Sequence, residues 1–140
     1  MSLKKMLGSA NVCTTLLVLV ASFPGGAVAT GFLCTVREAH QLTDQGGLRR
    51  DSWYESELSK RPFSVNRERG VVTGMPMDNA WATDIHVLSP GGDASAFKVL
   101  SIRAKDDPHY LRIDVFQRGI EKPFVGHTGS SVFVGTCRRM

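Results

Sequence analysis

The sequence lacks most of what catalysis, metal binding and membrane spanning require. Its longest unbroken apolar run, Val12–Ala21, is about half of the ~20 residues a membrane helix needs, and Pro24-Gly25-Gly26 ends it. None of the four histidines, His40, His86, His109 and His127, stands in a metal-ligand spacing. Of the three cysteines, Cys13 lies in the apolar leader, and the other two, without neighbouring histidines, cannot complete a zinc shell. There is no Gly-x-Ser-x-Gly elbow. Gly46-Gly47 and Gly91-Gly92 are not followed by the Lys-Ser/Thr helix start of a phosphate loop. These gaps exclude the common hydrolase and nucleotide-binding signatures, and no cofactor or metal is expected.

What is present begins with a leader. Lys4 and Lys5 form a basic start, Val12–Ala21 an apolar middle, and Ala27-Val28-Ala29 a small-residue cleavage site. Residues 1–29 therefore read as a signal peptide, and residues 30–140 as a single exported β domain, periplasmic or secreted. Removing the leader takes Lys4 and Lys5 and no acidic residue, so the formal charge falls from +4 to +2. That charge gives no basic face for nucleic acid, and no stable membrane span is expected after cleavage.

Cys34 and Cys137 then remain as an even pair in an oxidising compartment and are expected to form a disulfide. Phe32-Leu33-Cys34-Thr35-Val36 reads as the first strand and Ser130–Cys137 as the last. The bond would close a loop of about 100 residues and bring first and last strands together.

Between them the chain alternates strands with turns. Phe32–Ala39 puts Phe32, Cys34 and Val36 on one face. Leu48–Lys60 is irregular: Asp51 or Ser52 could cap a short helix near 51–58, or the segment could be a strand with a loop. Phe63–Gly74 reads as a hairpin turning at Asn66–Arg69. Ala82–Leu88 and Ala96–Ala104 flank the turn Pro90–Asp93. In the second of these, Phe97 and Val99 have one parity and Leu100 and Ile102 the other, which suggests a bulge near Val99–Leu100 or burial on both faces. Asp106-Asp107-Pro108 reads as a turn and His109–Gln117 as the cleanest alternation. A short piece, Pro123–Val125, and a turn at His127–Gly129 precede the last strand. The sum is an all-β fold of seven or eight short strands, an antiparallel sandwich or small barrel.

Two clusters invite a functional reading. Asp106, Asp107 and His109 form the nearest thing to an acid–base or cation-binding group, but they read better as a strand-connecting turn that keeps its carboxylates in water. Trp53, Tyr54 and Trp81 lie in or beside expected loops, with Arg49 and Arg50 nearby, a composition shared by binding surfaces. The expected function is a non-enzymatic domain binding a protein or envelope component through those residues. The alternative is a lipocalin-like carrier holding a small apolar ligand inside the barrel.

The order Phe32-x-Cys34, Phe63-Ser-Val-Asn-Arg-x-x-Gly-Val-Val-x-Gly74 and Phe133-Val-Gly-Thr-Cys137 resembles small exported proteins of proteobacteria that have no assigned role. The general plan is also similar to periplasmic lysozyme inhibitors, which are disulfide-tied β-barrels. The first resemblance implies export and a β domain; neither carries a functional residue onto this chain.

Overall fold

The computed structural model describes residues 31–103 and 107–140. The leader and Asp106 lie outside the described residues. One sheet organises the rest. Its strands are β1 (Gly31–Leu42), β2 (Leu48–Arg50), β3 (Phe63–Asn66), β4 (Val72–Thr73), β5 (Asp84–Gly92), β6 (Ser95–Arg103), β7 (Asp107–Ile113), β8 (Lys122–Thr128) and β9 (Ser131–Arg139), with one helix, α1 (Ser52–Leu58). The order is β4-β3-β1-β9-β8-β7-β6-β5, all antiparallel, and the sheet curls into a half-barrel. β2 adds to the far end of β1.

Chain order explains most of this path. Turns of two to eight residues join β5 through β9 as a meander, since such connections permit only antiparallel neighbours. β1 breaks the sequence by pairing with β9 along nearly its whole length, from Phe32↔Arg139 to Gln41↔Ser131. Cys34 and Cys137 face each other in that ladder and are disulfide-bonded, with Cα atoms 3.9 Å apart. The two ends of the domain thus lie in the middle of the sheet, away from its edges.

The concave side is the core. Phe32, Phe63, Val65, Phe97, Ile113 and Phe133 are fully buried there, and Phe63 meets Phe124 edge-on at 5.3 Å. Alternation carries these residues inward, with two interruptions. β1 holds an extra residue, Arg37, between the pairs Val36↔Gly135 and Glu38↔Val134, so Ala39 faces the core in place of Glu38. The second bulge lies in β5, between Val87 and Ser89.

Of the two readings for β6, a bulge near Val99–Leu100 or burial on both faces, the bulge is absent and the second is the nearer one. Phe97, Val99 and Ser101 point inward while Leu100 and Ile102 sit half-buried on the outer face. Other boundaries also move. Asp107-Pro108 opens β7 instead of forming a turn, with Pro108 opposite Ile102. β8 runs unbroken through His127, and the hairpin to β9 turns on Gly129-Ser130. Residues 52–58 are helical.

The sheet path ends at β4 and β5, and the β3–β4 turn and the β4–β5 connection strap the gap. The Arg67 guanidinium donates to the carbonyls of Pro90 and Gly91. Asn79, almost fully buried, accepts from the Val72 amide and donates to the Gly70 carbonyl and the Ser101 hydroxyl. Gly70, with φ of 71°, lies so close to β5 and β6 that a Cβ would stand 2.7 Å from Val99 Cγ2.

Candidate functional site

The segment after β2 is built onto the one stretch of β1 that lacks a strand opposite. β3 pairs with Gly31–Cys34 and β2 with His40–Leu42, leaving Thr35–Ala39 open on that edge. α1 occupies part of the opening. The Asp51 amide donates to the Ala39 carbonyl, and the Asp51 carboxylate accepts from the Tyr54 amide, capping the helix. The Ala39 amide is among the groups that hold the Glu55 carboxyl below its ordinary pKa. The helix is only seven residues long, so this anchoring and its core contacts hold it. Leu58 is buried, and Tyr54 meets Phe133 edge-on at 5.7 Å.

Four of the five residues expected to bind gather here. Trp53 is 74% exposed and stacks on Tyr54, with ring planes 14° apart. Arg50 makes two 2.8 Å hydrogen bonds to Glu55. The bond from Arg50 is the main cause holding the Glu55 carboxyl below its ordinary pKa. Arg49 is exposed on β2 beside it. Tyr54 belongs to the core more than to the surface, and burial raises its hydroxyl pKa.

Sequence reasoning missed Leu42 and Leu48. They are directly paired at the tip of the β1–β2 hairpin and are 54% and 58% exposed. Their signal was available, since both leucines flank the polar Thr43–Gly47 turn. They share a face of the hairpin with Arg50, while alternation puts Arg49 on the other, and Trp53 is a third large exposed apolar side chain just after β2.

Trp81 is placed elsewhere. It lies on the β4–β5 connection, where its ring meets His109 at 4.3 Å and Arg103 sits 4.8 Å above it. His109 Nε2 is 3.8 Å from Asp107, and its buried Nδ1 has no hydrogen-bond partner among the described residues. Burial lowers the His109 pKa; Asp107 opposes this, and Arg103 and His127 add to it. Asp107 and His109 do come together, on adjacent inward positions of β7. Among the described residues no group of three His, Cys, Asp or Glu side chains could hold a metal ion. None of the described helices is long and apolar enough to cross a membrane.

Comparison with known proteins finds no family, no curated protein and no solved structure that matches this chain.

Proposed function

We propose that this is an exported, non-enzymatic recognition domain that binds a protein or envelope component through the corner made by β2, α1 and the β1–β2 hairpin. The observation that carries the reading is Trp53. It stacks on Tyr54, which itself packs against Phe133, so an aromatic backed by the core stands in solvent just after β2. A pre-ordered aromatic anchor loses little entropy on binding. The Cys34–Cys137 bond fits an oxidising compartment and supports export.

The alternative of a ligand carried in the lumen is weakened by the packed interior. Phe32, Phe63, Phe97 and Phe133 occupy the concave side that such a ligand would need. Capture from an envelope extract tests the corner, comparing the wild type with Trp53→Ala and with Trp81→Ala. The reading expects loss of a specific partner with Trp53→Ala and its retention with Trp81→Ala. Equal recovery by wild type and Trp53→Ala would overturn it.

A further inference from the structure

A groove of about 520 Å³ runs along the opposite side of α1, between the helix and the outer face of β1 and β9. Its volume lies within the range of small-molecule sites. It shares α1 and Glu55 with the Trp53 corner but none of its exposed aromatic or apolar side chains, and it stands independently of that reading.

One wall is a stripe of helix residues. Ser52, Ser56 and Ser59 recur at helical spacing and line the groove, the Ser59 hydroxyl donating to the Ser56 carbonyl. The facing wall is Thr35, Arg37, Thr136 and Arg138 from the outer face of the two central strands. Leu33 adds a small apolar patch, and Glu121 lies between the two arginines. Hydroxyls, which can donate and accept hydrogen bonds, thus line both walls, with Val36 and Pro62 adding to the apolar part.

The backbone is shaped to put Arg37 there. Arg37 is the inserted residue of the β1 bulge, which turns its side chain to the groove. The bulge needs a glycine opposite, since a Cβ on Gly135 would meet the Thr35 carbonyl at 2.1 Å. Once there, Arg37 is weakly held. Its only ion pair among the described residues is with Glu121 at 3.5 Å, and its side chain is 62% exposed. Arg138 is 69% exposed and shares the same carboxylate at 2.9 Å. Two guanidiniums on one carboxylate leave N–H donors free and one positive charge in excess. Glu55 also lines the groove, with its charge matched by Arg50, which makes two hydrogen bonds to it.

We infer that this groove binds an acidic glycan, with a sugar carboxylate on Arg37 and Arg138 and ring hydroxyls on the serine and threonine walls. A peptide added as a strand fits less well. The open edge of β1 is closed by β3 at Cys34 and by Asp51 at Ala39. That leaves too few backbone groups for a ladder. An apolar ligand would leave the hydroxyls unpaired.

The test is amide chemical-shift titration of the oxidised protein with three probes: a hyaluronan tetrasaccharide, neutral N-acetylchitotetraose and tetraglutamate. The expected result is saturable shifts for the hyaluronan fragment alone, confined to residues 33–37, 52–59 and 136–138. Arg37→Gln and Arg138→Gln should each weaken binding about tenfold. Ser56→Leu, on an exposed helix position, should fill the groove and abolish binding with the spectrum otherwise unchanged. Tighter or equal binding of the neutral glycan would overturn the role of the arginines. Equal binding of tetraglutamate, shifts mapping elsewhere or no shifts at millimolar probe would overturn the glycan assignment. Ser56→Leu that still captures the Trp53-dependent partner would show the two sites to be separate, so either can fail alone.

Discussion

Breaking the Cys34–Cys137 bond should lower stability without changing the fold. The two sulfurs close a loop across 103 positions of sequence. Chain-entropy arguments give about 4.7 kcal/mol at 25 °C for a loop of that size. The bond is one rung of a long ladder, because β1 and β9 also pair from Phe32↔Arg139 to Gln41↔Ser131. Native contacts therefore survive reduction, and the loss falls on the unfolded state, which gains freedom. For a domain of about 110 residues the unfolding entropy is about 0.23 kcal/mol/K, so Tm should fall by roughly 20 °C. The comparison is best made on the wild type, oxidised against reduced. Replacing both cysteines would add a packing loss, since both are fully buried. Thermal and urea unfolding followed by far-ultraviolet circular dichroism gives the two midpoints. The urea slope should be steeper for the reduced chain, whose unfolded state is more expanded. A Tm drop of under about 5 °C, corresponding to about 1 kcal/mol, would refute the entropic argument. Loss of the β spectrum in the reduced chain at 25 °C would refute the claim that the ladder holds without the bond.

Asn79→Ala should destabilise by about 3 kcal/mol in urea titration, because it leaves the Val72 amide, the Gly70 carbonyl and the Ser101 hydroxyl without partners in the interior. Gly135→Ala should cost more than about 3 kcal/mol, since its Cβ would overlap the Thr35 carbonyl. Gly126→Ala should cost under about 1.5 kcal/mol, since its Cβ meets only the flexible Met77 side chain; equal losses at the two glycines would contradict this. His109 has its pKa lowered by burial, so the fold favours the neutral ring. Its contribution is complete above the unfolded value of about 6.5 and is lost as pH falls below that toward the folded value. Urea midpoints at pH 7.5 and 5.5 should therefore differ more in the wild type than in His109→Gln.

Much of the fold was legible because alternation in a half-barrel is a local signal. Phe32, Cys34 and Val36 of β1, and Leu111, Ile113 and Val115 after it, face inward as their spacing requires. The cysteine pair was legible from number and compartment alone. The bulges were not. Arg37 and the β5 bulge after Val87 are insertions relative to a partner strand, and a register shift leaves no mark in one strand read by itself. The parity switch in β6 was real, but parity alone left its two readings open. Ser101 keeps an inward position because Asn79, 22 residues earlier, supplies its hydrogen bond. For the site, Trp53, Tyr54, Arg49 and Arg50 were found together because they are neighbours in sequence. Trp81 was grouped with them by composition, whereas its partners are Arg103 and His109. The groove was invisible because its walls come from residues about 100 positions apart.

The arrangement also separates rigidity from looseness in a way that bears on recognition. The clasp and the longest ladder lie at β1 and β9 in the centre of the sheet. The seam between β4 and β5 is held by side-chain hydrogen bonds from Arg67 and Asn79 and by the close approach of Gly70. Opening should therefore cost least at that seam and most at the clasp. α1 and β2 hang on β1, the clasped strand, through Asp51, Glu55 and the Leu42↔Leu48 pair. Both candidate surfaces, the Trp53 corner and the arginine groove, are thus anchored to the clasped strand. A surface fixed before its partner arrives gives up little freedom on contact, so even a small corner with one aromatic anchor can bind selectively.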